Sequence, residues 1–171
     1  MNITKTERLI LRQVQFDDRT ALAEVLSDPE VMKYSLKGAH SSSQILEYIT
    51  NTRHMYEQNG FGQWVVTTRA GEFVGLCGLN KHVIEDNEII HVMYRLSVKQ
   101  QGKGYAKEAV KAVLNYVKKS LPNTTIFALI EASNIASMKV AQKTGFEYLK
   151  QAEFSGVTVD IYQTQIYKKP V

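Results

Sequence analysis

The chain has a single cysteine, Cys77, among 171 residues. No internal disulfide can form, and a lone thiol inside the apolar run Phe73–Leu79 reads as an inert core group, not a nucleophile. No run of apolar residues is long enough to span a bilayer, and the opening residues Met1–Arg8 lack the hydrophobic stretch of a secretory signal. The expected location is the cytoplasm. There is no arginine-rich tract, internal repeat, linker or low-complexity segment. The net charge of +4 is scattered along the chain. It permits attraction to acidic partners such as ribosomes without specifying one, and direct nucleic-acid binding is not expected. No membrane partner and no metal are expected either.

What is present suits one domain covering residues 1–171, since 44% of the side chains are hydrophobic and a chain of this length can enclose a complete core. Period-two patterning predicts strands at Arg8–Gln13, Gln63–Arg69, Glu72–His82, Glu88–Val98, Thr125–Glu131, Tyr148–Phe154 and Val157–Tyr167. Ala70-Gly71 and Ser155-Gly156 supply hairpin turns. Helices are expected from Asp17 or Asp18 to Ser27, bounded by Pro29, and from the Ser41–Ser43 caps to Gln58, ended by Asn59-Gly60. Two more run over Tyr105–Ser120 and from Asn134 to Gly145. Strands in this number with interspersed helices imply an α/β fold on a mixed sheet of about seven strands.

The most informative stretch is Met93–Ala106, which reads as strand, glycine loop, helix. Gly102 and Gly104 tolerate positive φ and carry no Cβ, so successive N–H groups can converge on an anion at the start of the helix, where the helix dipole adds its positive end. A nucleotide-binding P-loop is excluded by the single residue between the glycines and the absence of a following Lys-Ser/Thr pair. A dinucleotide fingerprint is disfavoured by Lys107, which stands where a third small residue belongs, and by the loop's late position. Either a phosphate cradle or a plain structural turn fits the residues.

The pattern Gln101-x-x-Gly104-x-Ala106 resembles the pyrophosphate loop of the GNAT acetyltransferases, which use acetyl-CoA. Asn134–Phe146, with Asn opening a helix and Gly-Phe closing it, is similar to the family's later segment and is separated from the loop by one helix and one strand, as in the family. Thr6–Arg12, Asp28–Met32, Phe61–Trp64 and Phe73–Leu79 resemble the branch that includes the ribosomal-protein N-terminal acetyltransferases. The resemblance spans almost the whole chain. It implies a mostly antiparallel sheet whose fourth and fifth strands splay apart, with the pantetheine arm of acetyl-CoA between them.

On that resemblance the cofactor-binding set is Leu96, Ser97, Val98, Gln101, Gly102, Lys103, Gly104, Tyr105, Ala106, Asn134 and Ser137. Main-chain N–H groups near Leu96 and Val98 lose ladder partners in a splayed strand, which suits them to a thioester carbonyl and to pantetheine amides. The catalytic candidates are His91 and Ser137. His91 stands where the family often has a glutamate, and an imidazole can accept a proton near neutrality; it is otherwise a structural strand histidine. Ala141 occupies the position of the family's acidic tyrosine, leaving Ser137 to meet the CoA sulfur, or simply to let the helix pack closely. Asn134 either bonds the pantetheine arm or an ordered water, or only caps its helix.

The implied activity is transfer of an acetyl group from acetyl-CoA, as cosubstrate, to a primary amine on a protein N-terminus or a small molecule, by a monomer or homodimer. The departures at His91 and Ala141 keep two other readings open: a non-catalytic acyl-CoA-binding module, and a ribosome- or RNA-associated interaction protein with a relic pocket. The acceptor side is expected to be bordered by Asp28–His40, the second helix and Glu85–Glu88.

Overall fold

The computed structural model describes residues 1–167. One sheet of eight strands runs through the molecule in the order β1-β2-β3-β4-β5-β6-β8-β7. The strands are β1 (Asn2–Lys5), β2 (Leu9–Gln13), β3 (Gln63–Thr68), β4 (Phe73–Ile84), β5 (Asn87–Leu96), β6 (Thr124–Ile130), β7 (Glu147–Phe154) and β8 (Val157–Ile166). Every neighbouring pair is antiparallel except β5 and β6. The helices are α1 (Arg19–Leu26), α2 (Pro29–Met32), α3 (Ser42–Asn59), α4 (Tyr105–Ser120) and α5 (Ile135–Lys143). No helix among the described residues is long and apolar enough to cross a membrane.

The helices cover both faces of the sheet. Helix α4 turns Ala109, Val110, Val113 and Val117 inward at helical spacing, against Leu9, Leu11, Trp64, Cys77 and Leu79. Each fully buried valine or leucine among them contributes about 1.5–3 kcal/mol relative to exposure. Cys77 lies wholly within this layer, and burial pushes its thiol above the ordinary range, away from reactivity. On the opposite face α1, α2 and α3 bury Leu22, Val25, Met32, Ile45 and Ile49 against Val65 and Leu76. Helix α3 starts on a reciprocal capping box, in which Gln44 N–H donates to Ser41 Oγ at 3.3 Å and Ser41 N–H donates to Gln44 Oε1 at 2.7 Å. Gly60, left-handed at φ 76°, ends it.

The structure departs from the sequence expectation at three places and refines it at a fourth. An eighth strand, β1, pairs with β2. Asp18 stands at the N-cap of α1 as expected, but its carboxylate does not cap the helix: it accepts from the Arg12 guanidinium and from Gln15 N–H, and Phe16–Asp18 form a 3₁₀ turn before α1 begins at Arg19. Pro29 both bounds α1 and opens the short α2, whose N-cap Asp28 accepts from Glu30 N–H at 2.9 Å. Strand β5 stops at Leu96, before a 3₁₀ turn at Val98–Gln100.

Two features of β4 and β5 set up the site. Gly75 lies at a register shift in β4, where an added Cβ would stand 2.2 Å from the Arg95 carbonyl oxygen; only glycine lets the strands approach so closely. On its other side β5 meets β6 only through Ile90 with Ile126 and His91 with Phe127. Beyond those pairs the two strands diverge, so the splay expected between the fourth and fifth predicted strands lies between β5 and β6.

Candidate active site

Strand β5 presents two sets of side chains. Tyr94 and Val92 lie opposite Cys77 and Leu79, on the α4–α5 face; Arg95 lies opposite Leu76, on the α1–α3 face, together with Met93 and His91. Ser97 N–H donates to the Val74 carbonyl at 3.0 Å, so it faces β4. Antiparallel alternation turns the Leu96 N–H the other way, into the splay, and Val98 N–H has no backbone partner among the described residues. Of the three residues expected at the cofactor, Leu96 and Val98 thus keep free donors and Ser97 does not. Ser97 is buried, and its hydroxyl has no partner.

The glycine loop follows directly. Gly102 and Gly104 adopt φ of 75° and 78°, and Gly104 occupies the N-cap of α4 without a capping side chain. The first α-type hydrogen bond of the helix runs from Glu108 N–H to the Gly104 carbonyl at 3.2 Å. The preceding N–H groups of Tyr105, Ala106 and Lys107 have no helical acceptor. An added Cβ at Gly102 would meet nothing within 4 Å, and at Gly104 only Arg8 Nη2 at 3.5 Å, so an open concavity of donors stands at the positive end of a 16-residue helix. Gln101 Nε2 donates to the Leu96 carbonyl at 3.1 Å and ties the loop to its strand, and Lys103 Nζ donates to Gln100 Oε1 at 2.9 Å.

The loop is braced from the start of the chain. Arg8 donates through Nη1 to the Lys103 carbonyl at 2.9 Å and through Nε to Glu108 Oε2 at 2.7 Å, with its guanidinium 4.8 Å from the centre of the Tyr105 ring. Burial pushes the Glu108 carboxyl up, but hydrogen bonds from Thr6 and Arg8 outweigh it and hold the group below its ordinary pKa.

Across the splay, Asn134 Oδ1 accepts from Ser137 N–H at 3.2 Å, which establishes its capping role, and its amide nitrogen makes no hydrogen bond. Ser137 Oγ donates to Tyr94 Oη at 3.0 Å, and Tyr94 Oη donates to the Ser137 carbonyl at 2.7 Å. Burial raises the Tyr94 phenol to about 12, against the opposing hydrogen bond with Ser137. Ala141, the position that lacks the tyrosine, is fully buried on the inner face of α5. Sequence reasoning singled out Ser137 but not Tyr94. The signal was the alternation of β5, which places Tyr94 on the α5 side two residues before Leu96.

His91 is 6% exposed. Its ring packs 5.0 Å from His82 and 6.4 Å from Phe154, centre to centre, and its Nε2 has no partner. Burial, then the neighbouring His82, lowers its pKa to about 4, so the imidazole is neutral at physiological pH. The structure thus brings Ser137, Asn134 and Leu96 to one side of β5 and sets His91 on the other.

On His91's side a cavity of about 370 Å³ opens between α3 and the sheet, lined by His40, Tyr48, Gln63, Asn80, His82 and Met93 among others. The Asp28–His40 segment reaches it through Lys37 and His40, and α3 through Tyr48. Glu85 and Glu88 are paired instead with Lys150 and Lys81, so their carboxylates do not line it.

A cleft with main-chain donors on one side and a polar cavity on the other is suited to holding an extended acyl thioester against a second substrate. Comparison with known proteins agrees. The profile of the acetyltransferase (GNAT) domain matches residues 8–147. The protein YkkB of Bacillus subtilis is 30% identical over 164 residues, which are 95% of each chain. An acetyltransferase of the GNAT family from Bacillus anthracis superposes with a TM-score of 0.80 at 25% identity, over 99% of this chain and 100% of that one. RimL, a ribosomal L7/L12 α-N-protein acetyltransferase solved with coenzyme A, superposes with a TM-score of 0.81 at 18% identity, over 97% and 98% of the two chains. The chain belongs to the GNAT acetyltransferases and is an N-acetyltransferase of that family.

Proposed function

We propose that this chain, working in the cytoplasm, transfers the acetyl group of acetyl-CoA to a primary amine, on a protein N-terminus or a small molecule, by direct attack on the thioester. The observation that carries the reading is the continuity of unpaired main-chain donors from Leu96 and Val98, in the splay, to the N-terminus of α4. The pyrophosphate sits on the loop Gln101–Ala106, the pantetheine lies along β5 with the Asn134 amide beside it, and Leu96 N–H receives the thioester carbonyl as it gains negative charge.

In the addition step the amine nitrogen bonds to the carbonyl carbon, and in the collapse the carbon–sulfur bond breaks. The nitrogen's proton leaves toward the α1–α3 face, where His91 takes it through the cavity. An imidazole with a pKa near 4 is a weak base for a free ammonium, but the ammonium of the tetrahedral adduct is far more acidic. His91 therefore acts late, on an amine that arrives neutral, while proximity supplies most of the rate. The departing thiolate takes a proton from Ser137 Oγ as the Tyr94 hydroxyl turns from the Ser137 carbonyl to pass its own proton to Oγ, and the Tyr94 phenolate regains a proton from solvent after CoA leaves.

The test is release of CoA thiol across an amine panel, with mass spectrometry of the product and calorimetry of CoA binding. Release of thiol with a product 42 Da heavier, as acetylation requires, supports the reading. Tight CoA binding without release favours a non-catalytic acyl-CoA module. Salt-dependent RNA affinity without turnover favours a ribosome- or RNA-associated protein.

A further inference from the structure

Arg12 pairs with Asp18 and Arg8 with Glu108. The guanidinium of Arg95, on the α1–α3 face of β5 and adjacent to Leu96, has neither a hydrogen bond nor an ion pair among the described residues. It is nonetheless half-buried, and burial lowers its pKa, with Tyr48 opposing. A partly desolvated cation without a carboxylate is costly and rarely retained without use.

Its surroundings are equally unspent. Arg95 stands two residues after Met93 on the face of β5 that borders the cavity, close enough for its charge to act on the lining residues His40 and Tyr48, and among the described residues His40 Nδ1 and Gln63 Oε1 of that lining are buried without partners. Burial lowers the pKa of His40, and the positive charges of Arg95 and Lys37 lower it further. Glu47 is the one carboxylate among the described residues of the lining, where it faces Lys37, the nearby Arg95 and Lys81, the last already paired with Glu88. A polycationic acceptor would meet mostly like charge here. An anion would meet a planar guanidinium fork, with a phenol beside it.

We infer that Arg95 binds an anionic group of the acceptor, so that the substrate of this cavity is a small amine carrying a carboxylate or a phosphate. This rests on the acetyltransferase reading: the amine faces the thioester at Leu96 while the anion sits one residue back along β5, on the α3 side.

The experiment uses amine pairs that differ only in the anion, titrated by calorimetry into the full chain saturated with CoA and assayed with acetyl-CoA. One arm sets amino acids against their amides. The other sets phosphoethanolamine and glucosamine 6-phosphate against their unphosphorylated counterparts. In at least one pair the anionic member should bind about 10-fold or more tighter, as a charge-assisted bidentate contact predicts, and the responding arm identifies the anion. Arg95→Gln should abolish that preference without changing CoA affinity or the affinity of the neutral twin. Arg95→Lys should restore part of it. Since the guanidinium lacks an internal partner, Arg95→Gln should not lower the melting temperature. The inference is overturned if neutral twins or polyamines bind as well as the anionic amines in every pair, if the preference survives Arg95→Gln, or if that variant is markedly destabilised. Failure of the acetyltransferase reading would look different, with anionic amines bound through Arg95 but no thiol released.

Discussion

The two faces of β5 solve different problems by different means. On the α4–α5 face nearly everything proposed to meet acetyl-CoA is main chain: the N–H groups of Leu96 and Val98 and those at the start of α4, held by Arg8, Gln101 and Glu108 behind them. On the α1–α3 face the cavity is made of side chains, several of them buried without partners. A main-chain site serves an invariant ligand and leaves its mark in glycine spacing and helix caps. A side-chain site can be retuned residue by residue without disturbing the first.

The sharpest way to break this comparison is His91, the proposed catalytic group on the side-chain face. With the native acceptor, His91→Ala should lower kcat by about 10²–10⁴-fold, the usual contribution of general acid–base help, with CoA affinity unchanged. His91→Gln should not restore the rate. Wild-type turnover in both variants would assign proton removal to water or another group.

The same residue carries a stability prediction. Its folded pKa of about 4 lies below the ordinary 6.5, so the unfolded chain binds more protons between those values. The stability held by the neutral ring is complete above about 6.5 and is lost as pH falls toward 4, by about 3 kcal/mol in all. Denaturant unfolding across that window should show the decline in wild type and a flatter acid limb in His91→Gln; parallel curves would refute it.

On the main-chain face, Gly104→Val places a β-branched residue at φ 78°. Strain of about 1–3 kcal/mol should distort the cradle and weaken CoA binding by about 10–100-fold in a chain that remains folded. Unchanged affinity by calorimetry would remove the pyrophosphate from this loop.

The smallest effect separates structure from binding at one residue. Asn134→Ala should cost about 1 kcal/mol of stability through the lost cap, visible as a lower melting temperature. A rise in KM for acetyl-CoA beyond the loss of folded protein would show that the free amide nitrogen meets the cofactor, and wild-type kinetics would leave Asn134 a cap alone.

Local backbone features were legible in the sequence: Gly102 and Gly104 at positive φ, the Asn134 cap and the serine cap of α3 act locally, and local chemistry is legible from neighbours in the chain. Strand β1 was missed because four residues with one apolar side chain, Ile3, against the core carry too little period-two signal; its pairing comes from β2. Helix α2 was hidden behind Pro29, which ends one helix and starts another with equal ease. The bond between Tyr94 and Ser137 joins positions 43 apart, and the isolation of Arg95 is a statement about every other residue. Neither can be read before the faces of β5 are known. His91 was visible as a departure from the family pattern, but its burial against His82 and Phe154 depends on β4 and β7 arriving beside it.

The brace between Arg8 and Glu108 spans 100 positions, so the cradle cannot take its final shape until the earliest strands and the fourth helix have met. During synthesis the N-terminal hairpin must wait for two-thirds of the chain to emerge. Once the contact is made, any ligand that grips the loop also clamps β1 and β2, because opening them would cost the bound state as well as the bare protein. Cosubstrate concentration in the cell then governs how often the first dozen residues come loose.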